Sequence, residues 1–156
     1  MTNSIAVHAA KPLPSMTPDV VNKVRKAEAF LMQNPQVPIA TSHVLHAGVY
    51  SRTIVIVKGV VLASALIKRS TNLVISGHVR MFVGEGTPRE YKGFHCIPAS
   101  AKRKQIIVAL KDTHLTMFFA TNAATVEEAE EEFTEEADML VSRQPGSLNN
   151  ITITGE

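Results

Sequence analysis

The feature that most constrains the fold is the sequence pattern of residues 39–120, where short runs rich in β-branched side chains alternate with turn sequences. The runs are TIVIV, GVVLASAL, NLVISGHVRMFVG, QIIVAL and LTMFFAT, and the breaks between them include KG, RSTN and GEGTP. Short apolar segments bounded by turn residues at regular intervals are typical of antiparallel sandwiches and barrels. The middle of the chain therefore predicts a mainly β domain.

Two helices are predicted to flank this middle, one on each side. Thr17 is followed by proline and an acid, which predicts an N-cap and a helix that stops near Asn34. The pattern from Thr125 to Glu128 is a capping box, and it predicts a second, acidic helix that runs to about Arg143. The first segment carries an apolar stripe at helical spacing, and so does the second: Val20, Val24, Ala27 and Leu31, and Val126, Ala129, Phe133, Ala137 and Leu140. Each helix should pack this side on the core.

The ends of the chain differ in composition from the rest. Residues 1–16 are small and polar with two prolines, which predicts an extended arm. Residues 144–156 predict a tail that either adds an edge strand or docks on a neighbouring subunit. We therefore expect a single domain over 17–143, with the barrel at about 39–120 and an arm at each end.

Charge is distributed unevenly along the chain. Residues 1–124 carry fifteen Lys/Arg and five Asp/Glu, whereas eight of the nine later acids fall between Glu127 and Asp138. One interpretation is a solvated acidic helix; the alternatives are self-association against a neighbour's basic surface, or an anion bound by the basic body. The one cysteine, Cys96, and the lack of a long apolar run favour a cytoplasmic protein and argue against a membrane partner.

Two spaced motifs in the middle resemble those of cupins, which are small jelly-roll barrels. The first cupin motif is Gly, five residues, His, one residue, His, three or four residues, Glu and a later Gly; here it begins at Gly59. The second motif ends in a histidine and is matched approximately by Gly93, Pro98 and Ser100. The resemblance implies a single antiparallel jelly-roll barrel. The positions that it assigns to metal ligands carry Ala65, Ile67, Thr71 and Arg103.

These four side chains make a degenerate metal site. A methyl group, a butyl group, a hydroxyl and a guanidinium do not form a transition-metal site, so we expect no metal and no other cofactor. Two longer segments, NPQVPIATSHVLHAGVYSRTIVI and IPASAKRKQIIVALKDTHLTMFF, resemble cupin-like proteins of bacteriophages. A phage-encoded protein of this type would act in the host cytoplasm or in association with the virion.

The remaining histidines and the cysteine give no catalytic constellation. His43 and His46 are interpreted as residues of a loop that enters a strand, where hydrogen bonding is their expected role. His78 should face outward, because alternation places Val79 inward. Neighbouring residues of a strand point to opposite faces, so Cys96 and the histidine before it cannot form a nucleophilic pair. No catalytic residue is predicted.

Arg103 is the most informative candidate. If it projects into the barrel, its guanidinium needs an anion or several acceptors, and a bound carboxylate or phosphate would serve. The alternative is that it turns outward with the lysines on either side as a basic patch. Tyr50 and Arg52 form a second polar pair, so the predicted ligand-binding set is Arg103, Thr71, Tyr50 and Arg52.

Three functions are compatible with this sequence. The first is a non-catalytic module that binds a small anionic ligand, a nucleotide or a carboxylate, in the barrel or at a subunit interface. The second is a virion-associated or assembly protein, a homo-oligomer held by residues 1–16, 125–143 and 144–156. The third is a metal-dependent cupin enzyme whose ligands have been displaced. With two tyrosines and no tryptophan, the chain offers few stacking surfaces, so nucleic acid is not the expected partner.

Overall fold

A computed structural model describes residues 11–84 and 86–156. Along these residues the chain forms two α-helices, eight strands and two short 3-10 turns. In chain order they are α1 (Pro18–Leu31), β1 (Ala40–His46), β2 (Val49–Ile56), β3 (Val61–Ala63), β4 (Thr71–Phe82), β5 (Arg89–Ala99), β6 (Ile106–Ala109), β7 (Thr113–Ala120), α2 (Val126–Phe133), the turns Ala137–Met139 and Val141–Arg143, and β8 (Leu148–Ile153).

All eight strands belong to one curled sheet. Its order is β3-β6-β4-β7-β2-β1-β8, and β5 pairs with β4 outside this path. The long strand β4 pairs along one edge with β5, and along the other edge first with β7 and then with β6. The pairing between neighbouring strands is antiparallel except between β1 and β8, which run parallel. The predicted fold class, mainly β with one helix before the barrel strands in sequence and one after β7, is confirmed.

The core lies on the concave side of this sheet. Alternate residues of the strands point inward, as in β4, where Ile75, Val79 and Met81 are fully buried while their neighbours are not. Helix α2 packs over the same interior, and Phe133 stacks at 6.4 Å between ring centroids on the buried ring of Tyr50. The helix therefore covers the space that the barrel encloses.

Helix α1 begins as predicted, with Thr17 Oγ1 accepting a hydrogen bond from Val20 N. It ends at Leu31, a little before the predicted stop. The side it buries is centred on Val21 and Val24. The predicted apolar stripe included Ala27, which is exposed.

The second helix is shorter than predicted. Its start is confirmed by Thr125 Oγ1, which accepts from Glu128 N. The prediction of a helix to about Arg143 is wrong, because Thr134 takes an extended conformation and its hydroxyl accepts from Glu136 N, closing a turn. The chain continues as two 3-10 turns, which still bury the apolar residues predicted for the stripe, among them Ala137 and Leu140.

Two strands were not predicted. The segment around His43 and His46, interpreted as a loop, is strand β1, with every second residue buried. Strand β5 carries charged residues and Gly93, so its sequence lacks an apolar alternation. The tail forms β8, one of the two alternatives for residues 144–156.

Part of the predicted arm lies on the protein's own barrel. Within residues 11–16, Leu13 is fully buried and pairs with Ala99 at the end of β5, while Met16 is nearly buried. The prediction for residues 1–10 falls outside the described residues.

In the parts of the chain covered by residues 11–84 and 86–156, no helix is long and apolar enough to cross a membrane.

Lys104 ties helix α1 to the barrel. Its ammonium is fully buried and donates to Glu28 Oε2 at 2.9 Å, Glu136 Oε2 at 3.1 Å and the Ser64 carbonyl at 2.8 Å. Glu28 lies on α1 and Glu136 follows α2, so one cation links both helical segments to the sheet. The alternative in which this lysine contributes to a basic surface patch is therefore wrong.

Candidate functional site

Arg103 projects into the barrel. Its side chain is 2% exposed, so the outward alternative is wrong for this residue as well. A backbone bridge fixes the position, because Ile67 N donates to the Arg103 carbonyl at 2.8 Å. The guanidinium then donates from Nη1 to the Ser100 carbonyl at 2.6 Å and from Nη2 to Thr71 Oγ1 at 2.8 Å.

The environment of this guanidinium is neutral. Its further contacts are the Arg69 carbonyl at 3.4 Å and the Met117 sulfur at 3.9 Å, and no carboxylate of the described residues forms an ion pair with it. Burial lowers the pKa of Arg103 to about 10, so the group keeps its charge at neutral pH. A buried charge without a counter-charge is costly, and an anion would offset that cost.

A shallow cleft of about 380 Å³ lies at one end of the barrel next to the groups that accept from this guanidinium, although Arg103 itself is not among the residues that line it. The two residues that accept its best hydrogen bonds, Thr71 and Ser100, both line the cleft. The lining residues come from the start of β4, the end of β5, the end of β7 and the loop before β4: Arg69, Ser70, Thr71, Asn72, Pro98, Ala99, Ser100, Phe118, Phe119 and Ala120. The cleft thus offers hydroxyl and amide groups over a buried positive charge.

Arg69 forms one side of the cleft and is held in place. Its guanidinium lies 4.4 Å from the centroid of the Phe119 ring, donates to Glu132 Oε2 at 2.9 Å and donates to the Ala120 carbonyl at 3.2 Å. It remains about one third exposed. A second arginine therefore faces the cleft from solvent, although Glu132 already offsets part of its charge.

The residues at the four positions that the cupin resemblance assigns to metal ligands do not fit a metal. Ala65 and Ile67 have no donor atom, and the Thr71 hydroxyl already accepts from Arg103, whose cationic group repels a metal ion. Among the residues that the structure describes, no three His, Cys, Asp or Glu side chains come together as a metal site. The side chains at these four positions therefore give no support for metal chemistry.

Tyr50, the third candidate, belongs to a different cluster. Its hydroxyl lies 2.7 Å from Nδ1 of buried His43, and Nε2 of that histidine lies 2.8 Å from Asn149 Oδ1 on β8. Because an amide oxygen only accepts, Nε2 carries the proton and Nδ1 accepts from the tyrosine. Burial lowers the pKa of His43 and raises the pKa of Tyr50 to about 12, so both groups are neutral.

Arg52, the fourth candidate, is occupied by an internal carboxylate. Its Nη1 donates to Glu130 Oε2 at 2.7 Å and its Nη2 to Ser142 Oγ at 3.0 Å. Arg143 Nε donates to Glu130 Oε1 at 3.0 Å from the other side. Burial alone would raise the pKa of Glu130, but hydrogen bonds from Ser142, Arg143 and Arg52 and the positive charge of Arg52 together hold it below its ordinary value. Neither Arg52 nor Tyr50 lines the cleft beside Arg103.

The outer histidines and the cysteine lie apart from this region. His78 points away from the core, as predicted, and pairs with Glu90. His46 is exposed and its Nδ1 lies 2.7 Å from Thr154 Oγ1. Cys96 is exposed on β5.

Sequence reasoning missed Glu130, although the spacing carried a signal. Val126, Glu130 and Phe133 lie at positions i, i+4 and i+7, so the carboxylate falls within the buried stripe of α2. Ser100 was noted only as a position of the second motif, and Arg69 carried no comparable signal, because it lies in the segment between β3 and β4 whose course is set by residues far away in sequence.

Comparison with known proteins gives similarity at the level of solved structures only. No protein-family model matches the chain. No curated protein matches it either. Among similar structures is an RmlC-like cupin from Methanocaldococcus jannaschii, 15% identical, covering 56% of this chain and 84% of its own, with a TM-score of 0.44. KdgF from Halomonas is 19% identical; the match covers 58% of this chain and 87% of KdgF, with a TM-score of 0.45. A protein from Klebsiella pneumoniae with a double-stranded β-helix domain is 18% identical; the match covers 58% of this chain and 84% of that protein, with a TM-score of 0.46.

Proposed function

We propose that this chain is a non-catalytic cupin-like module that binds a small anion, a carboxylate or a nucleotide phosphate, in the cleft beside Arg103. The observation that supports this is a buried guanidinium whose only partners among the described residues are neutral. An anion seated against Thr71 and Ser100 would place negative charge next to that guanidinium, where screening by solvent is weak. The hydroxyl and amide groups of the cleft would donate to the remaining oxygen atoms.

The role we propose for such a module follows from the resemblance to phage proteins. A phage would use a binder of this kind to sequester a host nucleotide or metabolite in the host cytoplasm. Because Tyr50 and Arg52 are occupied by His43 and Glu130, we leave both out of the proposed ligand set. The set becomes Arg103, Thr71, Ser100 and Arg69.

The test is ligand-dependent thermal stabilisation with defined probes: phosphate, citrate, ATP and GTP. A ligand that binds only the folded state raises its stability by about 2.7 kcal/mol at a hundredfold excess over Kd. We expect wild type and Arg80→Met to respond and Arg103→Met not to respond. Arg80 is the matched control, since it is 59% exposed on β4 and lies outside the cleft.

A second variant tests the electrostatic reasoning directly. Thr71→Asp would supply Arg103 with an internal carboxylate in place of a hydroxyl 2.8 Å away. We expect this variant to be at least as stable as wild type and to lose its response to anions. If no probe stabilises wild type and Arg103→Met is the more stable protein, the guanidinium is only a structural cost and the proposal fails. A stoichiometric transition metal in purified protein would instead support a metal-dependent enzyme with displaced ligands.

The second candidate function is assembly, as a virion-associated or other homo-oligomeric protein. The observation that favours it is strand β8, in which all six residues are exposed. Size-exclusion chromatography with light scattering tests it, since a truncated variant without residues 144–156 should lose the oligomer.

A further inference from the structure

The cleft of the proposed anion site has a second half that is apolar. Phe118 on β7 and Pro98 on β5 both line the cleft. Each of them is flanked along its strand by two buried residues. Because successive side chains of a strand point to opposite faces, Phe118 and Pro98 lie on the outer face of the sheet.

Strand register brings these two side chains into one row. Asn72 on β4 pairs with Pro98 of β5 on one side and with Phe118 of β7 on the other. Directly opposed residues of neighbouring strands have Cβ atoms about 4.5–5.5 Å apart. Pro98, Asn72 and Phe118 therefore form an outer row across three strands, with an amide between two apolar side chains.

The ring of Phe118 is accessible to a ligand. This residue is partly exposed, and its register neighbours Asn72 and Ser51 have side chains shorter than a phenyl ring. By contrast, Phe119 on the same strand is buried and packs on Tyr50 at 5.6 Å between ring centroids. Of these two rings, Phe118 is therefore the one that a ligand can cover.

The polar half of the cleft adjoins the outer row. Ser100 comes two residues after Pro98, and Ser70 comes two residues before Asn72. Two residues of extended chain span roughly 7 Å. A ligand that covers the row can therefore reach the hydroxyl groups and the guanidinium of Arg69 with a second part of its structure.

We propose that the ligand of this cleft is a mononucleotide, whose base stacks on Phe118 while its phosphate binds beside Ser100 and Arg69. This inference rests on the proposed anion site and narrows its ligand from any carboxylate or phosphate to one that carries a planar ring. The faces of a base suit an aromatic side chain, and its edge carries donors and acceptors that the amide of Asn72 can pair with. The cleft volume of about 380 Å³ falls within the roughly 300–1,000 Å³ of small-molecule sites.

The proposal predicts an order of affinities for three probes. Stacking of a base on an aromatic side chain typically changes binding by about 5- to 150-fold. AMP should therefore bind more tightly than ribose 5-phosphate, which has the same phosphate and no base. It should also bind more tightly than adenosine, which has the base and no phosphate.

Isothermal titration calorimetry with these probes is the first measurement. Phe118→Ala should weaken AMP binding by about tenfold and leave ribose 5-phosphate binding unchanged, because the ring contacts only the base. Phe94→Ala is the matched control and should change neither affinity, since Phe94 is 72% exposed on β5 and lies outside the cleft.

The outcomes separate this inference from the anion site on which it rests. If wild type binds AMP and ribose 5-phosphate equally, or if Phe118→Ala weakens both equally, the mononucleotide inference fails and the anion site stands. Adenosine binding as tightly as AMP also overturns the inference. If neither phosphate binds, the inference fails, and the citrate arm of the thermal-stability test decides whether the anion site stands.

Nuclear magnetic resonance of wild type with AMP is the second measurement and needs no substitution in the cleft. We expect intermolecular nuclear Overhauser effects between the H2 and H8 protons of the adenine and the ring protons of Phe118. Effects that connect the base to residues outside the outer row, or none from the base, overturn the inference.

Discussion

Removing the carboxylate of Glu130 should lower the free energy of unfolding of this protein substantially. Glu130 is 2% exposed and accepts hydrogen bonds from Arg52, Ser142 and Arg143. The substitution Glu130→Gln keeps the size and one carbonyl oxygen, but it removes the charge and turns an NH2 group toward one of the arginine donors. The side chain of Arg52 is only 9% exposed, so water cannot replace the lost partner.

The magnitude follows from this burial. Breaking a buried ion pair by removing one member typically costs about 3–5 kcal/mol, because the other charge is left uncompensated. Arg143 is 21% exposed and retains Asp138 and Glu131 nearby, so its share is discounted for solvent screening. We therefore expect a loss of about 3 kcal/mol, equivalent to a Tm lower by roughly 6–12 °C in a chain of this length.

Urea unfolding monitored by circular dichroism measures this loss. The matched control is Glu135→Gln, an exposed glutamate two residues after α2, which should change stability by less than about 0.5 kcal/mol. The double variant Arg52→Met/Glu130→Met should recover much of the loss, because apolar pairs can replace buried ion pairs. A cost below about 1 kcal/mol for Glu130→Gln, or no recovery in the double variant, would refute the reasoning.

Three further outcomes follow from individual contacts. Lys104→Met should cost about 2–3 kcal/mol and expose α1 to limited proteolysis, because three partly buried acceptors lose their donor. Gly77→Ala should cost about 1–3 kcal/mol by thermal unfolding, since Gly77 has φ +148° and a Cβ would lie 2.3 Å from Thr113 Oγ1, whereas Gly155→Ala meets nothing within 4 Å. The free energy of unfolding of wild type should decrease as the pH falls from 7 to 5. Burial lowers the pKa of His43 in the folded state, so in this range the unfolded chain binds a proton that the folded chain does not bind. His43→Gln should reduce this decrease.

The sequence was sufficient for those parts of the fold that local patterns encode. β-branched runs with turn residues between them predicted the β-rich middle, and the caps at Thr17 and Thr125 predicted where both helices begin. Burial patterns in β4 follow from strict alternation, so the outward direction of His78 was predictable too.

The errors share a physical cause, which is that long-range contacts decided the outcome. Strand β5 is held by eleven register positions on β4 rather than by its own apolar pattern. Helix α2 ends early where the chain bends and brings Glu136 to Lys104, 32 residues away in sequence. Likewise the burial of two consecutive cations, Arg103 and Lys104, could not be read from a short basic run, because their acceptors come from distant segments.

Two arginines of the interior differ in whether the chain supplies them with a counter-charge. Arg52 and Arg103 are both nearly buried, and both would cost free energy without a counter-charge. For Arg52 the chain supplies one, since α2 places Glu130 against it at 2.7 Å. Of the described residues, none supplies a carboxylate to Arg103, which instead reaches a hydroxyl and carbonyls at the back of an open cleft. The fold thus neutralises one of two buried charges with its own carboxylate and leaves the other with neutral acceptors, and our proposal that an anion binds in the cleft rests on this contrast.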